Sequence, residues 1–503
     1  MIRSSRVAFA LVTLSSAIAV FSLLTKKPLP KKKKPSLQCH IEKNPSFSCA
    51  AAEKKDIISQ LPDDILISII AHMPVKCAVS TSVLSKRWRN LHRCVSDIAF
   101  DCRYLLGHQI DPYKLHESNL IIESVNRFLW LRSGSKIHSF RLSCCFYKLS
   151  IYQFNHCIYS LGRLGVEKLF LRCGCYLGSS DFSFSLDLLS EIPSLKYFEL
   201  SLCSLPPSLT KQCNSLQDLC LSYVNVCPGA IECILSKCSR LISFRMGNCK
   251  SPPNLCFRGP HLQLKYLYIN DCEGVKEIEF YASNLVSFEF ANPELVKFIF
   301  DHVPQLQSIY LNVFKENIVP YVGGKLALDL PRLKSLTFVS RGDYFQGSIG
   351  YMGTNIFRNL RRLDLSLYNI PQMDLLLLTQ LLQSCSLVQE FHLNTNFLEY
   401  NAPQEKKRAI LFHSELKEME ISGFVGTENE IEFALYILKS AISLEKMQIN
   451  RCCKIYEGSN RWRRRYETPW SEDERNSIHM KLQGQAVSKT AQVFIQHKPR
   501  FED

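Results

Sequence analysis

Beyond residue 101 one short pattern recurs: apolar-x-x-apolar-x-apolar. It falls on Ile137, Phe140 and Leu142, on Val166, Leu169 and Leu171, and again from Leu195, Leu216 and Leu241. From Leu306 it returns at Leu333, Leu360, Val388, Leu416 and Leu444, in steps of 27, 27, 28, 28 and 28 residues. The alternating end of each copy predicts a short strand, and helical spacing at 120–131, 152–161, 230–235 and 375–382 predicts a helix in the longer gaps. Each unit is therefore a strand, a turn and a helix. One such unit cannot bury its apolar face alone, whereas stacked units share a continuous core. The Leu and Phe stripes are read as that core, with strands on a concave face and helices behind.

The middle of the chain departs from this spacing. Copies starting at Leu264, Val275, Leu285, Leu295 and Leu306 lie only 10 or 11 residues apart, too close for a helix in each gap. The expectation for 264–305 is strands alternately on the two faces, a locally two-sheeted section.

The 27–28-residue period and pattern resemble leucine-rich repeats. Three positions after the last apolar residue, that family expects Asn or Cys, and Cys145, Cys203, Cys249, Asn396 and Cys452 occupy the slot. There a small polar side chain can meet backbone groups at the turn leaving the strand. Val224 and Tyr368 break the rule.

Ahead of the repeats, residues 56–88 read as three short helices. Leu61-Pro62 opens the first, since Pro is tolerated at a helix start. Asp63 and Asp64 sit where the helix dipole favours negative charge. Ile65, Leu66, Ile69, Ile70 and Met73 form a wide apolar stripe, and Pro74 stops the helix. A second helix can run over 75–79, and Ser85 can cap a third carrying Lys86, Arg87 and Trp88. About 40 residues is near the lower limit for independent folding. The stripe exceeds what the unit can cover, which predicts a docking module.

The pieces Leu61-Pro62-Asp63-Asp64-Ile65-Leu66, Met73-Pro74-Val75 and Ser82-Val83-Leu84-Ser85-Lys86-Arg87-Trp88 resemble the F-box. Near the C-terminus, Gly423-Phe424, Gly426-Thr427-Glu428, Tyr436-Ile437-Leu438 and Leu444-Glu445-Lys446-Met447 resemble the FBD domain of a large plant F-box family. Thr427 with Glu430 reads as a capping box. This segment is expected to cap the array. The fold class is thus α/β: a leucine-rich-repeat solenoid of concave parallel strands and convex helices, preceded by a small three-helix F-box. The divisions are a hydrophobic segment and basic run at 1–35, a linker at 36–54, the F-box at 55–100, repeats at 115–410, the FBD at 411–485 and a tail at 486–503.

The resemblance implies a non-catalytic, substrate-recruiting subunit of a cullin-based ubiquitin ligase. Its partners would be a Skp-type adaptor, the cullin scaffold and a target protein. Leu61, Pro62, Ile65, Ile69, Met73, Pro74, Val75, Val79 and Trp88 would serve the adaptor contact. A rival reading is a membrane-tethered repeat scaffold that recruits no ligase. A small molecule held on the concave face is a third, although no polar pocket is legible in the sequence.

Charge refines the picture. The 503 residues carry a net charge of +15. Residues 1–55 hold 11 Lys/Arg against 2 acids, and the remainder holds 50 against 44. So weak a surplus on the body argues against nucleic acid as the main ligand. Residues 461–466, Arg-Trp-Arg-Arg-Arg-Tyr, could meet an acidic or nucleic-acid partner, but are read as a solvated tail. No phosphate loop, metal motif or nucleophile motif is present, so no catalytic residue, cofactor or metal is expected. The 22 cysteines are dispersed, without a C-x-x-C pair, and read as reduced thiols of the cytoplasm or nucleus. Residues 7–24 are uncharged, flanked by Arg3 and Arg6 and by a larger lysine cluster at 26–34. An anchor leaving the body cytosolic, a signal peptide ending near Ala17-Ile18-Ala19, a transit peptide and a mis-assigned start all fit that run.

Overall fold

The computed structural model describes residues 58–106 and 117–496, apart from 133–135, 147–148, 175–181, 260–261, 352, 354–355, 369–372, 397–410, 459–460 and 466–467. The segment 1–35 lies outside the described residues. Among those described, no helix is long and apolar enough to cross a membrane. The chain divides into two compact units, 1–204 and 205–503.

The first unit opens with helices Asp63–Ala71 and Val75–Ser80, then 3-10 turns Thr81–Val83 and Trp88–Cys94. Pro62 and Pro74 stand at the two helix starts, as their fixed φ favours. The third segment is 3-10 rather than α. It begins at Trp88, whose amide donates to Ser85 Oγ at 3.4 Å, so Lys86 and Arg87 precede it. Leu66, Ile70, Ala78, Trp88, Leu91 and Val95 form a small core. Parallel strands follow at Asp97–Asp101, Ser139–Ser143, Lys168–Arg172 and Tyr197–Ser201. The repeat sheet therefore starts at residue 97, earlier than the 115 read from the pattern: Val95, Ile98 and Phe100 form a further copy of the six-residue signature directly after the F-box, and all three are buried.

Among the described residues the main sheet of the second unit has eleven parallel strands, from Asp218–Ser222 to Gln492–Gln496. Their register places Ile309 on Leu336, Leu336 on Leu363, Leu363 on Phe391 and Phe391 on Met419. The last strand lies inside the stretch read as a tail and pairs with Lys446–Asn450. The FBD segment thus continues the sheet as well as ending it. Helix Glu428–Ser440 starts at the expected Thr427/Glu430 capping box.

The two-sheeted section is present. Tyr266–Asn270, Ser287–Asn292 and Ser308–Val313 stay in the main sheet, while Asn254–Arg258, Glu277–Tyr281 and Lys297–His302 make a second parallel sheet. With no helix between them, aromatic rings fill the gap. Phe280 meets Phe288 edge-on at 4.8 Å and Phe298 meets Phe290 at 5.0 Å.

The turn slot is more varied than Asn-or-Cys. Leu202, Tyr223, Asn248 and Asp271 each adopt positive φ two residues past the last apolar strand position. That corner turns the next residue inward, and Cys203, Val224, Cys249 and Cys272 are all buried there. Cys249 donates to the Gly247 and Leu221 carbonyls at 3.4 and 3.6 Å. Cys145 is a correction: it is half-buried, and Cys144 fills the inward slot because that turn lacks the positive-φ residue. Tyr368 sits in a strand that runs on to seven residues, so no corner forms there.

Gly423 illustrates a backbone constraint. Its φ is +80°, and a Cβ would collide with the Thr395 carbonyl oxygen of the neighbouring strand. Gly423→Ala is expected to destabilise the protein by about 3 kcal/mol or more, from combined strain and overlap. Denaturant unfolding measures this, and a loss below about 1 kcal/mol would contradict the packing described.

Candidate functional site

Two surfaces stand out, one in each unit. On the F-box, the first helix splits its apolar residues between core and solvent. Leu66 and Ile70 are buried, while Ile65 is 45% exposed and Ile69 half-buried. Pro62 and Pro74 are exposed; Val75 and Val79 are half-buried. Leu61 and Met73 lie half-buried against the F-box core. Trp88 is 3% exposed and belongs to that core, so it shapes the surface from beneath. Val83 and Leu84, part of the F-box motif but not of the expected adaptor contacts, are exposed by 64% and 55% and add apolar area. Arg87 fixes the helix start: its Nε donates to Asp63 at 2.7 Å and its Nη2 to the Leu61 carbonyl.

Met73, Pro74 and Val75 line a cavity of about 440 Å³ together with residues 97–101 of the first strand. His92 also borders it. Burial, with Arg93 and Arg132 nearby, lowers His92 to about 4, so the ring is neutral at physiological pH. Burial pushes the Cys157 and Cys385 thiols up to about 12, which removes both as thiolate nucleophiles.

The second surface is the concave face of the second unit. In the strands from Asp218, Ser243 and Tyr266, the solvent-side positions at Asp218, Cys220, Arg245, Tyr266 and Tyr268 keep some exposure. From Ser287 onward part of that side is covered. Glu289, Tyr310, Thr337, Asp364, Ser366, Asn394 and Ser422 are all buried, although they point to the side where solvent is expected. The cover is a hairpin of this chain, Lys454–Gly458 paired antiparallel with Arg461–Arg464. The run 461–466, read as a solvated tail, thus contributes a strand of this hairpin through residue 464.

Specific contacts seat the hairpin. Lys454 Nζ pairs with Glu420 at 2.6 Å. The Lys454 amide donates to Asn394 Oδ1 at 2.7 Å, and Asn394 Nδ2 donates back to the Lys454 carbonyl at 2.8 Å. Tyr456 stacks on Tyr310 at 4.0 Å, beside Ala291, Val339 and Tyr368. Trp462 meets Tyr456 edge-on at 4.9 Å. Gly458 lies beside the Tyr268 ring, and its φ of +89° favours glycine there. Burial acts to raise Glu420, but the Lys454 charge and hydrogen bond outweigh it and hold the carboxyl below its usual range. Next to it, Asp364 is held low against its burial by hydrogen bonds with His392 and Arg362.

Beyond the hairpin turn, a concave pocket of about 410 Å³ is lined by Asp218, Ser243, Arg245, Tyr266, Tyr268 and Glu289, among others. Burial raises Asp218 and pushes the Tyr268 phenol up to about 12. This polar pocket was not legible in the sequence. Its residues come from strands about 20 to 25 positions apart and meet only through the stacking register. Among the described residues no His/Cys/Asp/Glu group is arranged to hold a metal.

Lys454→Ala would leave Glu420 largely buried without its cation. Breaking such a pair is expected to cost about 3 kcal/mol. Adding Glu420→Ala should recover part of that loss, because no orphaned charge remains. Thermal unfolding of both variants checks this. Equal stability of Lys454→Ala and wild type would mean the hairpin is not held by this contact.

Comparison with known proteins identifies both domains. Residues 58–91 match the F-box domain model, and 128–495 match the model described as "At1g61320/AtMIF1, LRR domain". Among similar Arabidopsis thaliana proteins, the F-box/FBD/LRR-repeat protein At1g13780 is 29% identical over 33% of this chain and 32% of its own length. The F-box/FBD/LRR-repeat protein At1g13570 is 27% identical over 56% and 69%. The FBD-associated F-box protein At4g10400 is 26% identical over 80% and 94%. The chain thus spans about a third of the first relative and nearly all of the third. An F-box followed by one repeat domain that runs through the FBD segment places the chain in the plant F-box/FBD/leucine-rich-repeat protein family.

Proposed function

We propose that this protein is the substrate-recognition subunit of an SCF-type cullin ubiquitin ligase. The F-box docks on the Skp-type adaptor, and the repeat unit holds the target. The observation that carries the reading is the F-box surface. Pro62, Ile65, Val83 and Leu84 are exposed beside half-buried Ile69, on a module whose own core is already complete. Apolar side chains left in water on so small a unit mark a partner surface. Such a subunit needs no catalytic groups, because raising the effective concentration of target near the conjugating enzyme is sufficient. The site of action is the cytoplasm or nucleus. None of the nineteen described cysteines forms a disulfide, which suits a reducing compartment.

Ile65→Asp combined with Ile69→Asp places two charges at the centre of the docking stripe. Co-purification with the adaptor is expected to fall by about a hundredfold or more, the effect of losing apolar hot spots. The repeat unit's thermal unfolding should be unchanged. Wild-type adaptor binding by a folded double variant would end the F-box assignment.

A further inference from the structure

Where a repeat protein commonly presents bare strands, the second unit presents its own hairpin, and the two faces of that hairpin differ in chemistry. Tyr456 and Trp462 turn toward the sheet, and Lys454 is spent on Glu420. Arg461, Arg463 and Arg465 are exposed. Of these, Arg463 reaches Glu457 across the hairpin at 2.5 Å, an ion pair between groups 62% and 43% exposed. Such a surface pair contributes little to stability. Residues 461–465 thus concentrate four arginines on a body that is otherwise nearly balanced in charge, and the seating contacts of Lys454, Tyr456 and Trp462 do not involve the Arg461 or Arg463 side chains.

We propose that the outward face of this hairpin, centred on Arg461 and Arg463, is the docking surface for a short acidic segment of the target. The proposal rests on the recruitment reading above and specifies its target side. Arginine forks match carboxylates and phosphates, so aspartate, glutamate or a phosphorylated side chain supplies the shared chemistry. The surroundings limit the length of the ligand. On the sheet itself Glu390 and Glu418 are paired with Arg362 and Lys446, so among the described residues no unpaired basic track continues from the arginines there. A long polyanion such as RNA would run off the arginines onto a body nearly balanced in charge, whereas a segment of a few residues can stay on them. Because the hairpin is anchored by Lys454, Asn394 and Tyr310, the arginines are held in place before the target arrives, which lowers the ordering cost of binding.

The test uses the full chain co-purified with its adaptor. Three fluorescent probes are titrated: a glutamate-rich decapeptide, a decapeptide carrying two phosphoserines, and a 20-nucleotide single-stranded RNA. Binding of at least one peptide is expected, weakening with salt, and the better peptide identifies the anion source. Arg461→Gln with Arg463→Gln should weaken peptide binding by about tenfold, as expected for charge contacts at an interface rim. The charge-matched pair Arg475→Gln with Lys481→Gln, exposed on the helix Glu472–Leu482, should leave it unchanged. No binding of either peptide, an equal loss in both paired variants, or tighter binding of RNA than of either peptide would each overturn the proposal. Adaptor co-purification is scored in the same preparations. Its failure in the wild type would remove the ligase reading, whereas its retention with failed peptide binding removes only the hairpin surface.

Discussion

In-register stacking of apolar rungs is the constraint on which the second unit depends. Ile309, Leu336, Leu363, Phe391, Met419, Met447 and Val493 lie side by side across seven strands. Each inner rung is buried because its neighbours cover it, and the terminal Val493 is half-buried, so removing one strand exposes two faces. The 27–28-residue step in sequence is this register seen along the chain. It also sets what stands on the opposite face: equivalent outward positions of distant coils form rows, and those rows create the pocket at Asp218–Arg245–Tyr268 and the seat for the hairpin.

The repeat architecture was legible because apolar positions dominate it. Strands at Leu306 and beyond, the helix at Glu428–Ser440, and even the two-sheeted section followed from spacing alone. Spacing had no means of revealing the hairpin. Lys454, Tyr456 and Trp462 read as polar and aromatic residues after the last clear repeat, and their partners Glu420, Tyr310 and Asn394 lie 34 to 146 positions away. The Cys144/Cys145 slot was missed for a local reason, since a single positive-φ residue shifts the inward position by one.

The F-box divides its stripe similarly. A helical stripe in sequence marks apolar character without saying which side meets the module's own core. Leu66 and Ile70 turn inward, Ile65 turns out, and Trp88, which looks like a docking residue by motif, supports the core instead. The same distinction governs the second unit, where polar residues facing outward are covered by the chain itself.

A concave face closed by the protein's own hairpin is therefore the feature that most changes how target recognition is understood here. Hydrogen–deuterium exchange on the intact wild-type chain tests it directly, read at the amides of Lys454 and Arg465, which donate to Asn394 Oδ1 and to the Cys453 carbonyl. Both amides should exchange far more slowly than unstructured controls and in step with the adjoining strands. Exchange at the rate of an unstructured peptide would show that the hairpin is not seated and that the concave face is open.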